Sequence, residues 1–151
     1  MRYALVNPQW SFEGSTYFGC ADAHFPLELL SAREMLRGAG QEVLLIDAWM
    51  ENLTPEQVRV RLDAFNEDFL VIPTAPSYLF WRCPQPELRV PRQWIAALAR
   101  PSSSKTVVIG PHGSVTPLST LEKTGADIVL RGEPDQTLPQ LATLPLSLIH
   151  I

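Results

Sequence analysis

The chain has 151 residues, 46% hydrophobic and 19% charged, enough apolar material for one core of ordinary size and too little length for a second full domain. With 16 Asp and Glu against 12 Lys and Arg the net charge is −4, which gives no general attraction for phosphate backbones or anionic lipid and sets aside nucleic-acid and membrane partners. The two cysteines, Cys20 and Cys83, form no CxxC pair and suggest neither a zinc knuckle nor a disulfide framework, as expected of reduced thiols in the cytoplasm.

Met1-Arg2-Tyr3-Ala4-Leu5-Val6 turns into Asn7-Pro8 far too early for a signal peptide or a spanning helix, so a soluble, cytoplasmic protein is expected. A first strand is read at 3–6. A helix then starts near Pro26, with Leu29, Ala32, Leu36 and Ala39 on one face, and ends at Gly38 and Gly40. After a strand at 42–46, Thr54-Pro55-Glu56-Gln57 is a capping box with proline at the first helical position, followed by Val58, Leu62 and Phe65 at helical spacing. A strand at 69–72, a helix at 91–99 with Trp94, Ile95 and Leu98 inward, and a strand at 106–109 come next. A helix at 117–123, a strand at 127–130, and a helix from near Pro134 that buries Leu138 and Leu141 complete the alternation. Apolar strands alternating with amphipathic helices predict an α/β fold: a doubly wound, five-stranded parallel sheet in a flavodoxin-like or Rossmann-like three-layer sandwich, with every strand covered on both faces.

The segment 145–151, Pro145-Leu146-Ser147-Leu148-Ile149-His150-Ile151, has neither helical period nor cap. It looks like a translated adapter sequence, so a single domain at 1–144 is expected, with a non-native or disordered tail replacing the natural continuation.

Three connections, 7–25, 73–90 and 110–116, are longer than usual, and all follow strands. In an open parallel sheet that is the edge where ligands bind. The first carries Asp22-Ala23-His24, in which a carboxylate can orient an imidazole and leave its other nitrogen for a metal; a loop histidine beside a helix cap is the alternative. The second carries Thr74-Ala75-Pro76-Ser77-Tyr78-Leu79, whose hydroxyls can bond a ligand ring sliding between sheet and helix, or can close a serine turn. The third carries Gly110-Pro111-His112-Gly113-Ser114, where glycines allow close backbone approach or simply supply positive φ.

Together these three sites resemble the cobalamin-binding domain, which has Asp-x-His-x-x-Gly after the first strand, Ser-x-Leu after the third and Gly-Gly after the fourth. Asp22, His24, Ser77, Leu79 and Gly110 match, while Leu27 and Pro111 stand where glycines would. A narrower resemblance, to the N-terminal half of cobalamin-dependent radical SAM proteins, is carried by four segments. They are Phe25-Pro26-Leu27-Glu28-Leu29, Gly40-Gln41-Glu42-Val43 on to Asp47, Gly110-Pro111-His112-Gly113 and Gly125-Ala126-Asp127-Ile128-Val129-Leu130-Arg131-Gly132-Glu133.

That resemblance implies a corrin over the strand ends and a nucleotide tail between sheet and helices. Asp22, His24, Thr74, Ser77, Leu79, Gly110, His112, Gly113, Gly132 and Glu133 become the cofactor-binding candidates. Ser77 would face the dimethylbenzimidazole, Gly110 and Gly113 would line its channel, and the loop up to His24 would lie near the cobalt. Members of this group often lack a protein ligand on cobalt, so His24 is a candidate ligand rather than an assigned one. The full enzyme would perform methyl transfer or related radical chemistry. Its 4Fe-4S cluster and S-adenosylmethionine need a Cys-x-x-x-Cys-x-x-Cys motif that this chain lacks, so the barrel is expected downstream in cis and the present chain is expected to bind without turnover.

Two other readings compete. Ser11-Phe12-Glu13-Gly14-Ser15-Thr16 resembles a flavodoxin phosphate loop, though Glu13 would repel an FMN phosphate. A non-catalytic interaction module would use Trp10, Tyr78, Phe80 and Trp81 as an exposed patch. Receiver chemistry is excluded, because the third strand ends in Pro73-Thr74-Ala75 where a phosphoacceptor aspartate is required.

Overall fold

The computed structural model describes residues 1–11, 22–77, 88–101 and 103–143. Five strands, β1 (Arg2–Asn7), β2 (Glu42–Asp47), β3 (Phe69–Pro73), β4 (Lys105–Ile109) and β5 (Ile128–Val129), pair in parallel in the order β2-β1-β3-β4-β5. The helices are α1 (Leu27–Gly38), α2 (Pro55–Phe65), α3 (Arg89–Leu98), α4 (Pro111–Val115), α5 (Pro117–Thr124) and α6 (Pro134–Leu141). No helix among the described residues is long and apolar enough to cross a membrane.

Period-two alternation divides the strands between two cores. Tyr3, Leu5, Phe69, Val71, Val107 and Ile109 face α1 and α6, where Leu29, Leu36, Leu138 and Leu141 meet them. Ala4, Val6, Ile46, Leu70 and Ile72 face α2 and α3, against Val58, Leu62, Trp94 and Leu98. Val108 and Val129 continue this second face towards Leu121 of α5. The doubly wound fold is as expected, with β1 and β3 adjacent at the point where the strand order reverses.

Several details differ from the sequence expectation. β2 is an edge strand, and its Val43, Leu44 and Leu45 are only partly buried, so the apolar run there did not mean two covered faces. β5 spans two residues where four were expected, since only Ile128 and Val129 reach the edge of β4. Ala39 is exposed, because it caps α1 instead of continuing its buried face. The cap is a Schellman motif: Gly40 at φ +76° lets Gln41 N–H reach the carbonyl of Leu36 at 3.0 Å. The expected loop 110–116 instead contains α4, started by Pro111 at a position whose missing N–H costs nothing. At α2 the capping box is as read, with Gln57 N–H donating to Thr54 Oγ1 and Thr54 N–H to Gln57 Oε1.

Candidate functional site

A cavity of about 560 Å³ opens at the carboxyl ends of β3 and β4, on the α1 and α6 side of the sheet. Its size suits a cofactor fragment or small ligand. The strand ends supply Pro73, Ala75, Ile109 and Gly110; the amino-terminal halves of α1 and α6 supply Leu27, Glu28, Ser31 and Asp135; and Gly132 and Glu133 stand between β5 and α6.

Gly110, on the wall of this cavity, packs closely on Thr74. At φ +107° it adopts backbone that L side chains avoid, and a Cβ there would lie 2.9 Å from Thr74 Oγ1. Thr74 is buried at 1% exposure, its N–H donates to the Ile109 carbonyl at 2.9 Å, and its hydroxyl has no hydrogen-bond partner among the described residues. A buried polar group without a partner is costly to the fold and recurs where a ligand supplies the missing bond. Ser114 ties the neighbouring turns together: its hydroxyl donates to the Gly110 carbonyl at 3.2 Å and accepts from Gly132 N–H at 3.0 Å.

Across the cavity the Ser77 hydroxyl donates to the Glu28 carboxylate, joining the chain after β3 to the first turn of α1. Ser31 Oγ donates to Asp135 Oδ2 at 3.3 Å and joins α1 to α6 in the same way. Glu28 and Asp135 are first-turn carboxylates, placed where the positive ends of the helix dipoles favour them.

The candidate residues from the sequence separate into three groups. Ser77, Gly110, Gly132 and Glu133 meet at this cavity. Asp22 lies instead beside a second, more open cavity of about 580 Å³ with Trp10, Trp49 and Trp94. His24, Thr74, His112 and Gly113 line neither cavity among the described residues. Gly113 has a packing role, since a Cβ on it would stand 2.7 Å from Val129 Cγ1. Leu79 lies outside the described residues, as do Tyr78, Phe80, Trp81 and 12–16 of the flavodoxin-like segment.

His24 is exposed, and its Nδ1 meets the backbone carbonyl of Asp22 at 2.6 Å, not the carboxylate expected to orient it. A carbonyl only accepts, so Nδ1 is the donor in this contact. The ring stands 6.2 Å from that of Trp49. No group of three or more His, Cys, Asp or Glu side chains suited to a metal ion occurs among the described residues. Trp10 is buried at 8% exposure, and its indole N–H donates to Asn7 Oδ1 at 2.9 Å, so it belongs to the core and not to an exposed patch. Asn7 in turn donates to Asp47 Oδ1 at 2.8 Å, locking the ends of β1 and β2 together.

The sequence reading missed Glu28, Ser31 and Asp135 as cavity residues. The available signal was their position: polar side chains near the amino ends of α1 and α6, the helices that come after β1 and β5 in the chain.

No protein-family model matches the chain, and no curated protein matches it in sequence. Its fold is similar to that of TsrM, a radical S-adenosylmethionine methyltransferase from Kitasatospora setae, in a structure with cobalamin and a 4Fe-4S cluster bound. The TM-score is 0.65 at 20% identity, over 94% of this chain and 24% of that one. A second TsrM structure, with tryptophan substrate and the SAM analogue aza-SAM, gives 0.65 and 20% over 94% of this chain and 25% of that one. A CheY-like protein, TadZ from Pseudomonas aeruginosa PAO1, gives 0.53 and 15% over 96% of this chain and 99% of that one. The chain thus spans about a quarter of the methyltransferase's length, and the likeness establishes the doubly wound fold.

Proposed function

We propose that this chain is a cobalamin-binding module and that the strand-end cavity takes the cofactor's nucleotide tail. The observation that carries the reading is the position of that cavity, at the carboxyl ends of β3 and β4 with Gly110 at φ +107° on its wall. Pro73, Ala75, Ile109 and Pro111 give an apolar slot for a planar ring, and Ser77 and Ser114 give hydroxyls at its edge. The fold shared with a cobalamin-containing radical SAM methyltransferase supports the choice of ligand.

In this reading the domain is 1–144, and its residues bind and orient. Gly110 keeps the slot open, Ser77 contacts the benzimidazole, and Gly132 and Glu133 border the tail. His24 stands near the corrin and is the candidate cobalt ligand. Bound cobalamin would supply cobalt-centred methyl-transfer chemistry to a radical SAM barrel in cis, which would hold the 4Fe-4S cluster and S-adenosylmethionine outside this chain.

Equilibrium dialysis of the full chain against hydroxocobalamin tests the reading. Retention of about one corrin per chain supports it, and a protein compartment that holds no more corrin than buffer overturns it.

A further inference from the structure

We propose that the tryptophan-lined cavity beside the ends of β1 and β2 is a second ligand site, built for a small organic cation such as a quaternary or protonated amine. It lies on the α2 and α3 side of the sheet and shares no lining residue with the slot at β3 and β4, so its occupant need not be cobalamin.

Tryptophan is concentrated here. Of the chain's four tryptophans, Trp10, Trp49 and Trp94 border this one cavity of about 580 Å³, a volume in the range of small-molecule sites. They come from three separate places, the segment after β1, the segment after β2, and α3, so it is the fold that groups them. The indole ring is the side chain whose π face attracts a cation most strongly. Asp22 is the one charged side chain among the described residues that line the cavity. It is exposed, and His24 meets its backbone carbonyl and not its carboxylate. Arg89 donates to the Ser11 carbonyl at 3.1 Å but does not itself line the cavity. Aromatic faces with one carboxylate and no lining cation complement a positive ligand and disfavour an anionic one.

The walls are fixed before any ligand arrives. Trp10 donates its indole N–H to Asn7 Oδ1 at 2.9 Å, and Asn7, itself 2% exposed, donates to Asp47 Oδ1 at 2.8 Å, so a chain of hydrogen bonds holds the ring. Gln9 Nε2 donates to Asn52 Oδ1 at 2.6 Å and ties the polar rim between the segments after β1 and β2. Trp94 belongs to the same core cluster as Trp10, and Trp49 packs against that cluster. Rings held in this way lose little freedom on binding.

The test uses choline and its uncharged isostere 3,3-dimethylbutan-1-ol as probes of the full chain. Affinities are read by saturation-transfer NMR, and far-UV circular dichroism establishes that each variant is folded. Wild type is expected to bind choline at least about tenfold more tightly than the isostere. Trp49→Leu and Asp22→Asn should each weaken choline by about fivefold or more. Glu122→Gln, which removes the same charge from an exposed position elsewhere, should bind choline as wild type does. Should Trp49→Leu fail to fold, Asp22→Asn, a change on an exposed side chain, decides. No choline bound by wild type, equal affinity for the two probes, unweakened binding by either cavity variant, or equal weakening by Asp22→Asn and Glu122→Gln would each overturn the site. None of these readouts involves a corrin, so failure of the cation site and failure of the cobalamin reading are separate outcomes.

Discussion

Gly110 passes so close to Thr74 that a Cβ on the glycine would stand 2.9 Å from the threonine Oγ1 and 3.5 Å from its backbone nitrogen. Two penalties therefore meet at this position, a steric one against Thr74 and a conformational one from φ +107°. Gly110→Ala is expected to cost roughly 2–3 kcal/mol in urea unfolding. Adding Thr74→Ala should recover only part of that loss, because it removes the contact and leaves the backbone strain. Full recovery would mean that the φ requirement contributes nothing.

The Thr74 hydroxyl makes a second prediction. Replacing a buried, unpartnered hydroxyl with a methyl group of similar shape removes a desolvation penalty, so Thr74→Val should stabilise the unliganded protein by about 1 kcal/mol. A destabilised Thr74→Val protein would show that the hydroxyl has a structural partner.

Much of the fold was legible in the sequence because local signals and the global arrangement agree. The Thr54-Pro55-Glu56-Gln57 box starts α2 where expected, and the alternation of Leu70 and Ile72 with Phe69 and Val71 builds the two cores. The site was legible only in part. Ser77, Gly110, Gly132 and Glu133 converge because each follows a strand end, which sequence order reveals. Sequence order does not reveal which way a loop turns, so Asp22 lies beside the Trp10 cavity and Gly113 packs on Val129. Glu28 and Asp135 read as ordinary first-turn acids until the packing of α1 against α6 brings them to one cavity.

At the opposite end of the sheet, the Glu67 carboxylate is fully buried and receives Arg100 Nε at 2.6 Å and Ser104 Oγ at 3.2 Å. Arg100→Met would strand that charge and is expected to cost about 3–5 kcal/mol. The double variant Arg100→Met, Glu67→Leu should regain most of the stability, since an apolar pair of similar volume replaces a buried ion pair at little net cost. Chemical denaturation of the two variants side by side checks this, and equal losses would contradict it.

Tyr3 gives the chain a defined alkaline limit. Its hydroxyl is pushed up from 10.0 to about 12, first by burial and second by the charge of Asp68. The folded state holds this proton more tightly than the unfolded state does. The stabilisation is therefore complete below pH 10 and is lost as the pH rises towards 12. Between about pH 9 and about pH 11.5 the wild type should lose roughly 2 kcal/mol more than Tyr3→Phe. Parallel losses in the two proteins would show that Tyr3 does not set the limit.

The most direct test of the central claim is a visible-absorption titration of hydroxocobalamin with the full chain, run beside Ser77→Trp and followed by gel filtration. An indole at position 77 would fill the slot while leaving the Gly110 backbone untouched. The account predicts a corrin band co-eluting with the wild-type protein and affinity at least about tenfold weaker for Ser77→Trp. Equal binding by the two proteins would contradict the placement of the site, and no corrin retained by the wild type would contradict the cobalamin module itself.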